Sequence, residues 1–247
     1  MEEKIVCSVR HLLTAYQSGK LGDTTMPEDT HPGFTSLEAK RIYYTLPMAL
    51  NYQRNSYKLW ESAKATYEDE ETREVFSLSA VNNLNLDSLR EKLTKYKLAL
   101  QPNKHIDTWS RVSRTIFEKW GSLTEMIDQN DSDYLNLKEM IQGKQKKGLP
   151  YLSGPKIFNY WIFIMSEYGE VDLKNRSCIE IAPDTHVIQS SVRLGVISSK
   201  EAQNLSREEI SAVWRDVLKG TEIDPIDVHS PLWFWSRSGF EYEPVGV

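Results

Sequence analysis

The chain has 247 residues, 40% of them hydrophobic, and 30 Lys and Arg against 35 Asp and Glu give a net charge of −5. That length suits one large domain or two small ones with an ample core, and no apolar run approaches the roughly 20 residues a membrane helix needs. Two cysteines, Cys7 and Cys178, cannot hold a four-cysteine iron–sulfur cluster, and their separation argues against a cysteine zinc site.

The charged opening MEEKIVCSVRHLL has no cleavage signal, so a cytoplasmic, membrane-free protein is expected. Its cysteines are expected to be reduced and mostly buried. Segment 20–36, rich in Gly, Pro, Asp and Thr, reads as a loop, and 68–74 is an acidic run. A helix start falls at Asp87, running through Leu89, Leu93 and Tyr96. Ile106, Trp109, Val112, Ile116, Phe117 and Trp120 then recur at helical spacing, and Gly121 stops that helix.

The acidic balance opposes generic nucleic-acid affinity, which rests on Lys and Arg contacts to phosphate. Its distribution softens the objection: Lys95, Lys97, Lys104, Arg111, Arg114, Lys119, Lys144, Lys146, Lys147 and Lys156 concentrate in the middle of the chain.

Residues 148–169, GLPYLSGPKIFNYWIFIMSEYG, are the stretch that carries chemistry. Pro155 suits a first helical residue, and Ile157, Phe158, Trp161, Ile162, Ile164 and Met165 make a helix apolar nearly all round, which should be centrally buried. The turn before it is expected to expose backbone N–H groups for a phosphate oxygen. Lys156 stands in the first helical turn, where a cation opposes the helix dipole by roughly 0.3–1 kcal/mol. The same dipole, and any burial, favours the neutral amine that a nucleophilic lysine needs.

After a short extended piece, 177–182, Asp184 is placed to cap a helix with Val187, Ile188, Val192 and Leu194 inward and Gly195 at its end. One carboxylate oxygen would cap, and the second is expected to face a cleft. Ser206 and Glu209 form a capping box for a helix to Lys219, with Gly220 as its stop. Segment 220–231 reads as a second loop. Strand evidence is thin throughout, so the fold is expected to be all-α.

LPYLSGPK before a buried helix, followed by PDTHV and a helix ending in LG, resembles the helix-hairpin-helix DNA glycosylase superfamily over roughly residues 148–196. SPLWFWSR at 230–237 is similar to the helix near the C-terminus of archaeal oxidised-guanine glycosylases. The departures are Tyr151 at the first hairpin glycine, a turn one residue longer, and absent cluster cysteines. The 28-residue separation of Lys156 from Asp184, longer than in the iron–sulfur members, and the absent cluster cysteines lean toward the cluster-free, oxidised-guanine branch.

The resemblance implies two helical lobes flanking an active-site cleft: a middle lobe, 37–168, and a second lobe from 1–36 plus 169–247. It places Lys156 as Schiff-base nucleophile and Asp184 as catalytic aspartate, with no metal or other cofactor. It assigns Leu152, Ser153, Gly154, His186 and Lys147 to DNA contact, although His186 also reads as a structural histidine. Trp233, Tyr151, His229 and Asp227 are its base-pocket candidates; His229 stands where an acidic residue is expected, and Asp227 is the substitute.

The implied partner is DNA carrying a damaged base, handled by a monomer associated with the nucleoid. The implied activity is base excision with strand cleavage at an oxidised purine. A monofunctional glycosylase for another base and a non-catalytic DNA-binding module are the alternatives.

Overall fold

The computed structural model describes residues 2–245, and it is all-α. In chain order the helices are α1 (Glu2–Gln17), α2 (Leu37–Thr45), α3 (Ser56–Glu68), α4 (Leu78–Asn83), α5 (Leu86–Lys95), α6 (Pro102–Trp120) and α7 (Leu123–Asp128). They continue with α8 (Tyr134–Glu139), α9 (Pro155–Glu167), α10 (Thr185–Arg193), α11 (Glu201–Asn204), α12 (Arg207–Leu218) and α13 (His229–Arg237). No strand occurs among the described residues, and none of their helices is long and apolar enough to cross a membrane.

The chain divides into two compact units, Met26–Asn175 and Met1–Thr25 with Arg176–Val247. The flanks 26–36 and 169–175 are tied into the first unit. Trp60 donates to Glu28, Tyr43 to the Thr30 carbonyl, and the buried Arg41 guanidinium to the carbonyls of Gly169 and Glu170.

Within Met26–Asn175, α6 starts on Pro102 and stops at Gly121, whose φ of +78° lies in the region that disfavours a side chain. Its buried stripe of Ile106, Trp109, Val112 and Ile116 packs on α4 and α5, and Trp109 Nε1 donates to the Val75 carbonyl at 2.9 Å. Aromatic rings of Tyr43, Tyr44, Trp60, Tyr67 and Phe76 fill the space beside it. The apolar helix α9 is central as expected: Phe158, Trp161, Ile162, Ile164 and Met165 are fully buried, and Trp161 Nε1 donates to Thr45 Oγ1 at 2.9 Å.

Just beyond α9, a Cβ at Gly169 would lie 2.8 Å from the Met165 carbonyl oxygen and 3.0 Å from its Cα. These are backbone atoms that cannot swing aside. Gly169→Ala is therefore expected to cost about 1–3 kcal/mol, read as a lower urea midpoint at unchanged slope.

In the other unit α13 packs on α10 and α1, and α1 also meets α12. Trp214 Nε1 donates to Ser191 Oγ and Ser190 Oγ to the Leu232 carbonyl, so the buried polar groups of α10 are satisfied by its neighbours. The Ser206–Glu209 capping box forms in full, and Gly220 follows α12 at φ +79°.

Four local expectations are corrected. The helix expected from Asp87 is capped by Asn85, whose side chain accepts from Ser88 N–H. Segment 177–182 forms no strand and has no ladder partner; a 3-10 turn, Arg176–Cys178, opens it. Both loops contain 3-10 turns, Pro27–Asp29 and Pro225–Val228, and α13 already begins at His229. Cys7 and Cys178 are both exposed rather than buried.

Candidate active site

The lysine segment lies in the Met26–Asn175 unit. After α8 a π-helical turn, Met140–Lys144, leads into the basic loop, and Gly148 lets the loop lie against Thr115: a Cβ there would stand 2.7 Å from the threonine side chain. The turn then closes on itself. Leu152 N–H donates to the Pro150 carbonyl, Ser153 N–H to Leu149 and Gly154 N–H to Tyr151, at 2.8–3.0 Å. This corrects the expectation that the turn offers those N–H groups to phosphate. Leu152 and Ser153 are buried as well, whereas Lys147 is exposed.

Tyr151 holds φ +61°, a conformation a non-glycine residue adopts at a cost of roughly 1–2 kcal/mol. Its ring sits 5.6 Å from that of Tyr52, and Lys104 Nζ lies 4.9 Å from the Tyr151 centroid and 5.3 Å from the Tyr52 centroid. These contacts offset the strain and engage Tyr151 within its own unit. α9 begins at Pro155 with Gly154 as N-cap, so no side chain caps it. Lys156 is its second residue and is exposed.

One residue that the sequence reading missed meets α9 at Tyr160, one helical turn from Lys156. Glu28, taken for part of a solvated loop, is fully buried. Pro27 and Met26 are buried on its N-terminal side, and Asp29 closes the turn by accepting from Met26 N–H at 2.7 Å. The Glu28 carboxylate accepts from Trp60 Nε1 at 2.8 Å on Oε1 and from the Tyr160 hydroxyl at 3.1 Å on Oε2. Burial, with a smaller contribution from neighbouring Asp29, pushes this carboxyl up to about 7, against the hydrogen bonds that favour its charge.

Because the folded value lies above the unfolded one, the stability linked to Glu28 is fully present below about pH 4.5 and is lost as pH rises through about 7. A rise from 4.5 to about 7 corresponds to about 3 kcal/mol. Glu28→Gln, which keeps an acceptor for Trp60, is expected to remove that loss, so its advantage over wild type in urea unfolding should grow between pH 5 and 8.

The aspartate segment lies in the other unit. Asp184 caps α10 as expected, Oδ1 accepting from Val187 N–H at 3.0 Å. Its second oxygen is not left open: Oδ2 accepts from Trp233 Nε1 at 3.1 Å. The Trp233 indole is thereby fixed, with the Arg237 guanidinium 4.9 Å over its ring and the His186 and Phe234 rings edge-on at 5.5 and 5.0 Å. A base stacked on Trp233 would have to displace or avoid the Arg237 guanidinium.

His186 Nδ1 lies 3.1 Å from Ser236 Oγ, and that hydroxyl donates its single proton to Gln189 Oε1 at 2.7 Å. The serine oxygen can then only accept from the histidine, which places a proton on His186 Nδ1. Asp227 accepts from Arg176 Nη2 at 2.8 Å, while Asp224 takes Nη1 at 3.0 Å, so the proposed purine reader belongs to an ion-pair fork. His229 is buried as the first residue of α13.

Among the described residues no three His, Cys, Asp or Glu side chains gather as a metal site. A groove of about 470 Å3 on α5 and α6 is lined by Arg90, Arg111 and Arg114 together with Asp107 and Glu118. No residue that the sequence reading assigned to the site lines it. Comparison with protein-family models and with curated protein sequences gives no match.

Proposed function

We propose that the protein is a DNA glycosylase with abasic-site lyase activity that excises an oxidised purine, 8-oxoguanine first. The observation that carries this reading is Lys156: an exposed amine at the second position of a helix whose middle is largely buried, directly after a self-bonded turn. A cation at the dipole-positive end of α9 opposes the helix dipole by roughly 0.3–1 kcal/mol, so its placement there carries a cost in stability.

In this reading a damaged nucleotide is turned out of the stack at a cost of roughly a few kcal/mol. The neutral Lys156 amine attacks sugar C1′, the C1′–N bond breaks, and the electron pair leaves with the base. The Asp184 carboxylate stabilises the oxocarbenium-like charge as it develops. Loss of the amine proton and ring opening give the Schiff base, and β-elimination then breaks the 3′ C–O bond. Asp184 is supported in this role by the fixed geometry that Val187 N–H and Trp233 impose on it.

One observation favours a non-catalytic DNA-binding reading instead. Both Asp184 oxygens already have structural donors, which is what a cap and a tryptophan anchor require and no more.

Borohydride trapping on a duplex containing 8-oxoguanine separates the readings. A covalent protein–DNA adduct is expected. Base release without an adduct would leave a monofunctional glycosylase, and duplex binding with neither would leave the binding module.

A further inference from the structure

We propose that Glu28 is a positioning residue for the Tyr160 hydroxyl, acting by reversing the direction of the hydrogen bond that joins carboxyl and phenol. The inference rests on the glycosylase reading and adds to it a pH-gated donor beside the nucleophile.

The geometry is short and buried. Lys156 and Tyr160 are separated by four residues on α9, which places them on one helical face. The half-buried Tyr160 hydroxyl reaches Glu28 Oε2 at 3.1 Å, and the other carboxylate oxygen is held by Trp60 Nε1 at 2.8 Å. Other groups around this turn are Tyr43 and Tyr44 from α2, the Tyr44 hydroxyl donating to the Glu28 main-chain oxygen, Asp29, to which Tyr168 donates at 2.8 Å, and His31, whose ring lies 6.3 Å from that of Tyr44. Both side-chain donors to the carboxylate, Trp60 and Tyr160, are neutral groups.

An ionised carboxylate can only accept, so it keeps the Tyr160 hydrogen pointed at itself. A neutral carboxyl carries a hydrogen of its own, which it can donate to the Tyr160 oxygen. The phenol hydrogen is then turned away from Glu28, on the helix face that carries Lys156. An oxidised purine bears carbonyl oxygens and gains negative charge as it departs, so a donor there assists departure. Burial already moves the Glu28 carboxyl into the neutral range of pH, where both states are accessible.

Glu28→Gln imitates the neutral state at every pH: its amide oxygen accepts from Trp60 and its NH2 donates to Tyr160. Tyr160→Phe keeps the ring and removes the relay. Trapping rates on the 8-oxoguanine duplex should be measured from pH 6 to 8 for wild type and both variants, taking ratios so that the titration of Lys156 itself cancels. The ratio of wild type to Glu28→Gln is expected to fall about three- to tenfold over that range, the worth of one hydrogen bond. The ratio of Tyr160→Phe to Tyr160→Phe/Glu28→Gln is expected to stay flat.

A flat wild-type ratio, or the same fall in the Tyr160→Phe pair, would overturn the proposal. A readout independent of activity is the tyrosine doublet in the Raman difference between wild type and Tyr160→Phe, which reports whether the phenol donates or accepts. It should change between pH 6 and 8 and be constant on the Glu28→Gln background. If wild type forms no adduct at any pH, the lyase reading fails by itself. An unchanging doublet then overturns the Glu28–Tyr160 relay as well, and a changing one supports it.

Discussion

Lys156→Ala is expected to abolish the borohydride-trapped adduct completely while leaving the protein folded. The side chain is exposed, so its loss opens no cavity, and removing a cation from the first turn of α9 relieves a dipole penalty of roughly 0.3–1 kcal/mol. Any contact that an exposed lysine makes is worth about 0–1 kcal/mol, similar in size to the dipole term, so the thermal midpoint should change little. Lys147→Ala is the control: it removes an exposed lysine of the same loop region and should retain the adduct, losing only salt-sensitive affinity. An adduct of wild-type yield from Lys156→Ala would mean that another amine is the nucleophile. A destabilised Lys156→Ala protein would mean that the lysine has a structural role that its exposure hides.

How much of this was legible in the chain depends on the range of the chemistry involved. Helix ends are decided within four residues, so Gly121, Pro155, Asp184, Gly195 and the Ser206–Glu209 box could all be read directly, and each occupies its expected place. Asp87 misled because Asn85 two residues earlier has the same capping chemistry, and local pattern does not choose between them. Burial of Glu28 was illegible: PEDTHP has the composition of a solvated loop. The side chain is drawn inward by Trp60 and by Tyr160, the latter 132 residues away.

The second oxygen of Asp184 is a similar case, since its donor Trp233 is 49 residues distant. The hairpin turn fails for a different reason. Extra length and a residue at positive φ let 149–154 satisfy its own amides, a matter of turn geometry that the letters LPYLSGPK do not disclose. Cysteine burial was inferred from a general tendency, and at Cys7 and Cys178 that tendency does not hold.

The second large effect is expected at Asp184, and there the substitution can be made to separate catalysis from anchoring. Asparagine caps helices about as well as aspartate, so Asp184→Asn can keep the bond from Val187 N–H. Its other position then presents NH2 to the Trp233 N–H, two donors facing each other, at a cost of about 1–3 kcal/mol for the unpaired group. If Asp184 only anchors, Trp233→Phe should remove the conflict: Asp184→Asn on that background would regain most of the lost stability, and base release would equal that of Trp233→Phe alone.

If the carboxylate stabilises a developing cation, base release should instead stay down by about 10²–10³-fold on both backgrounds, at a temperature where every variant is folded. Chemical denaturation supplies the stability half of the cycle and single-turnover base release the other. Recovery of stability without recovery of rate is the outcome that the glycosylase reading requires.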